Sequence, residues 1–83
     1  MKKKFQVTQD DINIAERHTI TRCPLALCLS RELNTKMWVG LEKAHYEEDW
    51  LEKTLRLPKN AVEFIQDFDN GIGVKPFEFE LEI

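Results

Sequence analysis

Near the end of the chain, Phe77, Phe79, Leu81 and Ile83 alternate with Glu78, Glu80 and Glu82. A period of two is the mark of a strand with one face buried and one solvated. Pro76 suits the start or the edge of such a strand, because it donates no ladder hydrogen bond. A strand of this kind needs a neighbour and a layer over its apolar face. The start of the chain offers the neighbour: Phe5-Gln6-Val7 reads as a short strand with Phe5 and Val7 inward and Lys2 and Lys4 on the polar side. Pairing the two ends sets lysines opposite glutamates, and each such pair contributes a few tenths to about 1 kcal/mol.

The covering layer is predicted from helical signals. Cys23 stands at an N-cap position, and Pro24 fits the first helical residue, where its missing N–H would lack a partner anyway. Leu25, Ala26, Leu27, Cys28, Leu29 and Leu33 make the following helix apolar on most sides, so it is central; it ends near Asn34-Thr35. A second helix spans Asn60 to Asp69. Ala61, Val62, Ile65 and Phe68 recur at helical spacing, Phe64 widens the stripe, and Asn70-Gly71 supplies a left-handed stop. A short helix opens after Thr8 with a capping-box-like start and runs to about Arg17, with Ile12 and Ala15 (and Ile14 nearby) on its apolar side.

The middle is less decided. Met37-Trp38-Val39-Gly40-Leu41 reads as a strand with Met37, Val39 and Leu41 on one face and Trp38 on the other. From Glu42 to Leu57 the composition favours helix, whereas the alternation Leu55-Arg56-Leu57 favours a strand entering Pro58. The expected architecture is α+β: one domain over residues 1–83, with a single mixed or antiparallel sheet of about four or five strands. The two main helices cover one face of that sheet.

Composition narrows the function classes. Eighty-three residues hold one core and no second domain. Cys23 and Cys28 do not amount to the disulfide framework of small secreted domains. Five helical positions also set them about 7.5 Å apart in rise with diverging directions, too poor a geometry for a bridge. The basic start is not followed by a signal-type apolar stretch, and no apolar run approaches the ~20 residues that span a bilayer. The chain reads as cytoplasmic, with no membrane association. Residues 1–46 carry eight Lys/Arg against five Asp/Glu, and residues 47–83 carry four against ten. Without a clustered basic face, nucleic-acid binding is disfavoured.

Several segments recur in one order: the first strand, Thr8-Gln9-Asp10-Asp11-Ile12, Cys23-Pro24-Leu25-Ala26-Leu27 and Met37-Trp38-Val39-Gly40. Leu57-Pro58 leading to Ala61-Val62-Glu63-Phe64-Ile65, Phe68-Asp69-Asn70-Gly71 and the ending Val74-Lys75-Pro76-Phe77-Glu78-Phe79-Glu80-Leu81 follow. Together they resemble a group of short uncharacterised proteins encoded by bacteriophages and prophages. The resemblance covers most of the chain except roughly residues 42–54, and Cys28 departs from the apolar residue expected there. It implies the cytoplasm of an infected bacterium and two strands, rather than a helix, in the middle. It carries no activity, cofactor or site residue.

Candidate chemistry is sparse. Cys23, at a helix N-terminus beside Arg22 with His18 five residues upstream, is a candidate nucleophile with a candidate base. A half-buried thiol closing the helix end is the simpler reading. No Cys-x-x-Cys or His-x-x-x-His spacing supports a metal site, and no cofactor is expected. Gly71-Ile72-Gly73 follows a helix, where the dipole end is negative, so it is a turn and not a phosphate loop. Asp67, Asp69 and the three terminal glutamates read as a solvated face.

Tyr46-Glu47-Glu48-Asp49-Trp50 is the best interaction candidate: two aromatics flank three acids, suited to a basic, partly apolar partner, unless both rings simply cover the sheet. Trp38 marks a contact with a partner, or with a second copy, if no helix covers its face. The expectation is therefore a small phage-type accessory protein that binds a host or phage protein without catalysis. Two alternatives stay open: a thiol-dependent enzyme or factor using Cys23 and His18, and an acidic nucleic-acid mimic using the acids of residues 47–82.

Overall fold

The computed structural model describes residues 2–82. The element order is β1 (Lys2–Val7), α1 (Gln9–Ile14), α2 (Pro24–Leu33), β2 (Trp38–Val39), β3 (Lys43–Glu48), β4 (Leu51–Arg56), α3 (Lys59–Asp69) and β5 (Phe77–Glu82). The fold is α+β, as the patterning predicts.

The two ends of the chain pair as expected. β1 and β5 run antiparallel with Lys2 opposite Glu82, Lys4 opposite Glu80 and Phe5 opposite Phe79. Phe5, Val7, Phe79 and Leu81 are buried. The Phe5 and Phe79 rings stack with centroids 5.5 Å apart, and Phe77 stacks on Phe64 of α3 at 4.4 Å. The inward position expected for Ile83 lies outside the described residues. Two lysines of the basic half thus stand opposite two glutamates of the acidic half across one ladder.

The five strands do not form a single sheet. β1 and β5 make a two-stranded sheet, and β2, β3 and β4 make a separate three-stranded antiparallel one. Alternation reports that a segment is a strand with one inner face. It carries no information on which edges meet, and the β4 and β5 edges share no ladder. One cluster of buried side chains nevertheless joins both sheets to α2 and α3, from Phe5 through Leu25, Leu29, Val39, Ala44, Leu55 and Ile65 to Leu81.

The helix ends follow their local chemistry. Thr8 and Asp11 form a reciprocal capping box on α1. That helix stops at Ile14, short of Arg17, because Ala15 is extended and His18 is left-handed at φ 58°. Ala15 therefore does not extend an apolar helical side, and Ile14 is exposed. The Cys23 Sγ accepts the Ala26 N–H at 3.4 Å, serving as the N-cap of α2. α2 ends at Asn34 in the left-handed region. α3 closes on Gly71 at φ 78°, where the Gly71 N–H reaches the Phe68 carbonyl and the Ile72 N–H reaches the Asp67 carbonyl. This is the Schellman arrangement that the Asn-Gly pair implies.

β2 is shorter than the 37–41 alternation suggests. The Gly40 N–H donates to the Lys43 carbonyl at 2.8 Å, so the chain turns into β3 at once. Leu41 is left exposed on that turn and does not join Met37 and Val39 in the core.

Candidate interaction surface

The undecided segment 42–57 is a β-hairpin. β3 and β4 pair with Ala44 opposite Leu55, Tyr46 opposite Lys53 and Glu48 opposite Leu51. Asp49-Trp50 is left as a two-residue loop, and both residues have positive φ, 52° and 67°. Two left-handed residues match the right-handed twist of the flanking strands, and Asn-Gly is the usual choice for them. Aspartate visits this region readily; for a bulky residue such as tryptophan it is an outlier that costs about 1–2 kcal/mol. Burial does not offset that cost, since Trp50 is 99% exposed. Leu51 beside it is also exposed, and so are Glu47, Glu48, Asp49 and Glu52. The tip is an apolar point in an acidic collar.

Strand alternation divides the neighbouring residues between two faces. Ala44 and Leu55 are buried on the inner face, and Tyr46 on that face is half-buried and packs against the core. The two aromatics of the Tyr46–Trp50 segment are thereby separated, with Tyr46 at the core and Trp50 in solvent. On the outer face, Trp38 pairs with His45, His45 with Thr54, and Glu47 with Glu52. Trp38 is half-buried, and the Lys36 Nζ lies 5.3 Å from its ring centroid. His45 Nδ1 lies 3.3 Å from a Glu52 carboxylate oxygen and 3.2 Å from the Thr54 hydroxyl. Trp38, His45, Tyr46, Glu47 and Glu52 line an open recess of ≈ 310 Å³. His45, Leu51 and Glu52 escaped the sequence reading, because only the hairpin register brings them beside Trp38 and Glu47.

The thiol candidate has a different setting. Cys23 is buried at 1% exposure, and burial pushes its pKa up; the nearby Asp69 carboxylate pushes it further in the same direction. A reactive cysteine needs an accessible sulfur and a lowered pKa. His18 meets the same aspartate through its backbone, its N–H donating to Asp69 Oδ1 at 3.0 Å. Cys28 is fully buried with its Sγ 3.3 Å from the Gln6 carbonyl oxygen, and burial raises its pKa to about 12. Both cysteines are free. Among the described residues, no group of three or more His, Cys, Asp or Glu side chains is arranged to hold a metal ion, and no helix is long and apolar enough to cross a membrane.

No protein-family model, no curated protein and no solved structure matches the chain.

Proposed function

We propose that the protein is a small phage-type accessory protein that acts by binding another protein, host or phage, in the bacterial cytoplasm, and that the β3–β4 hairpin is its docking element. The observation that carries this reading is Trp50. An aromatic side chain sits fully in solvent on a backbone conformation that tryptophan disfavours. Strain of this kind persists where function selects for it, and large aromatics are the side chains that most often anchor interfaces. The acids around it select a partner surface that is basic and has an apolar pocket. The phage setting is supported by the resemblance of the ordered segments described above.

Affinity capture from bacterial lysate tests the reading. The immobilised wild-type protein is compared with Trp50→Ala, which removes the anchor, and Glu48→Arg, which reverses one charge of the collar. Both side chains are exposed, so both variants fold. Proteins retained by the wild type and lost from both variants are the expected result. An identical captured set from all three rules out the hairpin tip as the docking element.

A further inference from the structure

Glu47 and Glu52 are direct register partners on the outer face of the hairpin. Residues so paired have Cβ atoms about 4.5–5.5 Å apart, and like charges in that position destabilise the sheet. Among the described residues, Glu47 has no ion-pair partner, and Glu52 has only the imidazole of His45. The same recess is walled by the Trp38 ring, which already faces the ammonium of Lys36 at 5.3 Å. An aromatic face with a cation near it and two opposed carboxylates make a site of one chemical preference: a cation with a flat face. A guanidinium meets both requirements, stacking on the indole while its fork of N–H groups spans carboxylate oxygens. An ammonium supplies only a point charge. Anionic ligands, nucleic acid included, are repelled by the same carboxylates and by Glu48 and Asp49 on the adjoining tip.

We propose that the Trp38–Glu47–Glu52 recess receives an arginine side chain of the protein that docks on the hairpin, an inference that rests on the docking reading above and specifies its chemistry. Lys36 is the chain's own flexible cation at the ring, and the incoming guanidinium displaces it. Trp50 and the recess then act as two contacts on one element, the first apolar and the second charge-selective.

The experiment is a titration of the whole protein with a hexa-arginine peptide at low salt, with hexalysine for comparison, followed through the Trp38 indole N–H and the His45 ring signals by NMR. Saturable shifts at both residues are expected, with hexalysine binding more weakly. The double variant Glu47→Gln/Glu52→Gln, nearly isosteric and therefore folded, is expected to bind hexa-arginine at least about tenfold more weakly, the loss of charge-assisted hydrogen bonds. Lys36→Gln is expected to bind hexa-arginine at least as tightly as the wild type. Equal affinity for the two peptides, or an undiminished affinity in the double variant, overturns the arginine site. If that happens while lysate capture still depends on Trp50, the recess is wrong and the docking reading stands.

Discussion

At Cys28 a fully buried sulfur lies against the Gln6 carbonyl, and Arg31 of the same helix reaches that carbonyl too, at 3.0 Å. The other guanidinium nitrogen of Arg31 holds the Asp11 carboxylate, which also accepts the Thr8 N–H at 3.0 Å. Asp11 is thus both half of a helix cap and the partner of a cation on another helix, and this accounts for a buried carboxylate in so small a core. The thiol beside this network has a testable linkage. Its pKa rises from 9.0 to about 12 on folding. The folded state therefore holds its proton more tightly. That contribution to stability is intact below pH 9 and declines as pH rises through the window up to about 12, by at most about 1.4 kcal/mol per pH unit. Denaturant unfolding of the wild type and of Cys28→Ala between pH 8 and 11 measures it. The variant is less stable at pH 8, and its stability falls less steeply above pH 9. Parallel curves would mean that Cys28 does not titrate in this way.

At the level of elements, the hairpin is the informative case. Its loop has the backbone of an Asn-Gly turn and the residues Asp49-Trp50, so Trp50→Gly is expected to raise stability by about 0.5–1 kcal/mol while removing the proposed anchor. Thermal or denaturant unfolding measures the first effect and lysate capture the second. A destabilised Trp50→Gly protein would show that the indole supports the fold. The same loop explains why the hairpin was hard to read from residues alone. Hairpin signals reside in Asn, Asp and Gly at the turn, and here the second turn residue is tryptophan, while Glu, Lys and Leu around it favour helix. Where local chemistry agrees with tertiary structure, as at Cys23-Pro24, Asn70-Gly71 and the Phe/Glu alternation, the element and nearly its boundary were legible. Leu41 breaks the alternation of Met37 and Val39 because a turn begins one residue before it. The Asp11–Arg31 pair and the opposed Glu47 and Glu52 depend on helix docking and strand register, which no local window contains. The interaction segment was therefore visible as a string of residues, but its division into a core-facing Tyr46, a solvent-facing Trp50 and an outer recess was not.

Across the whole molecule, the core depends on strands from the two ends of the sequence. Phe79 is 3% exposed and stacks on Phe5 and Phe77. Phe79→Ala is expected to cost about 3–5 kcal/mol, a large share of the 5–15 kcal/mol typical of a domain. Its neighbour Glu80→Ala, on the solvated face opposite Lys4, is expected to cost at most about 1 kcal/mol. Equilibrium urea unfolding separates the two, and similar costs would mean that the ladder charges, and not the aromatic stack, hold the ends together. The antiparallel β1–β5 ladder also has a consequence for synthesis. β1 cannot complete its sheet until β5 has cleared the exit tunnel, so its inner face waits unpaired while the three helices and the hairpin between them are synthesised. Nascent chains arrested before residue 77 should remain open to proteases.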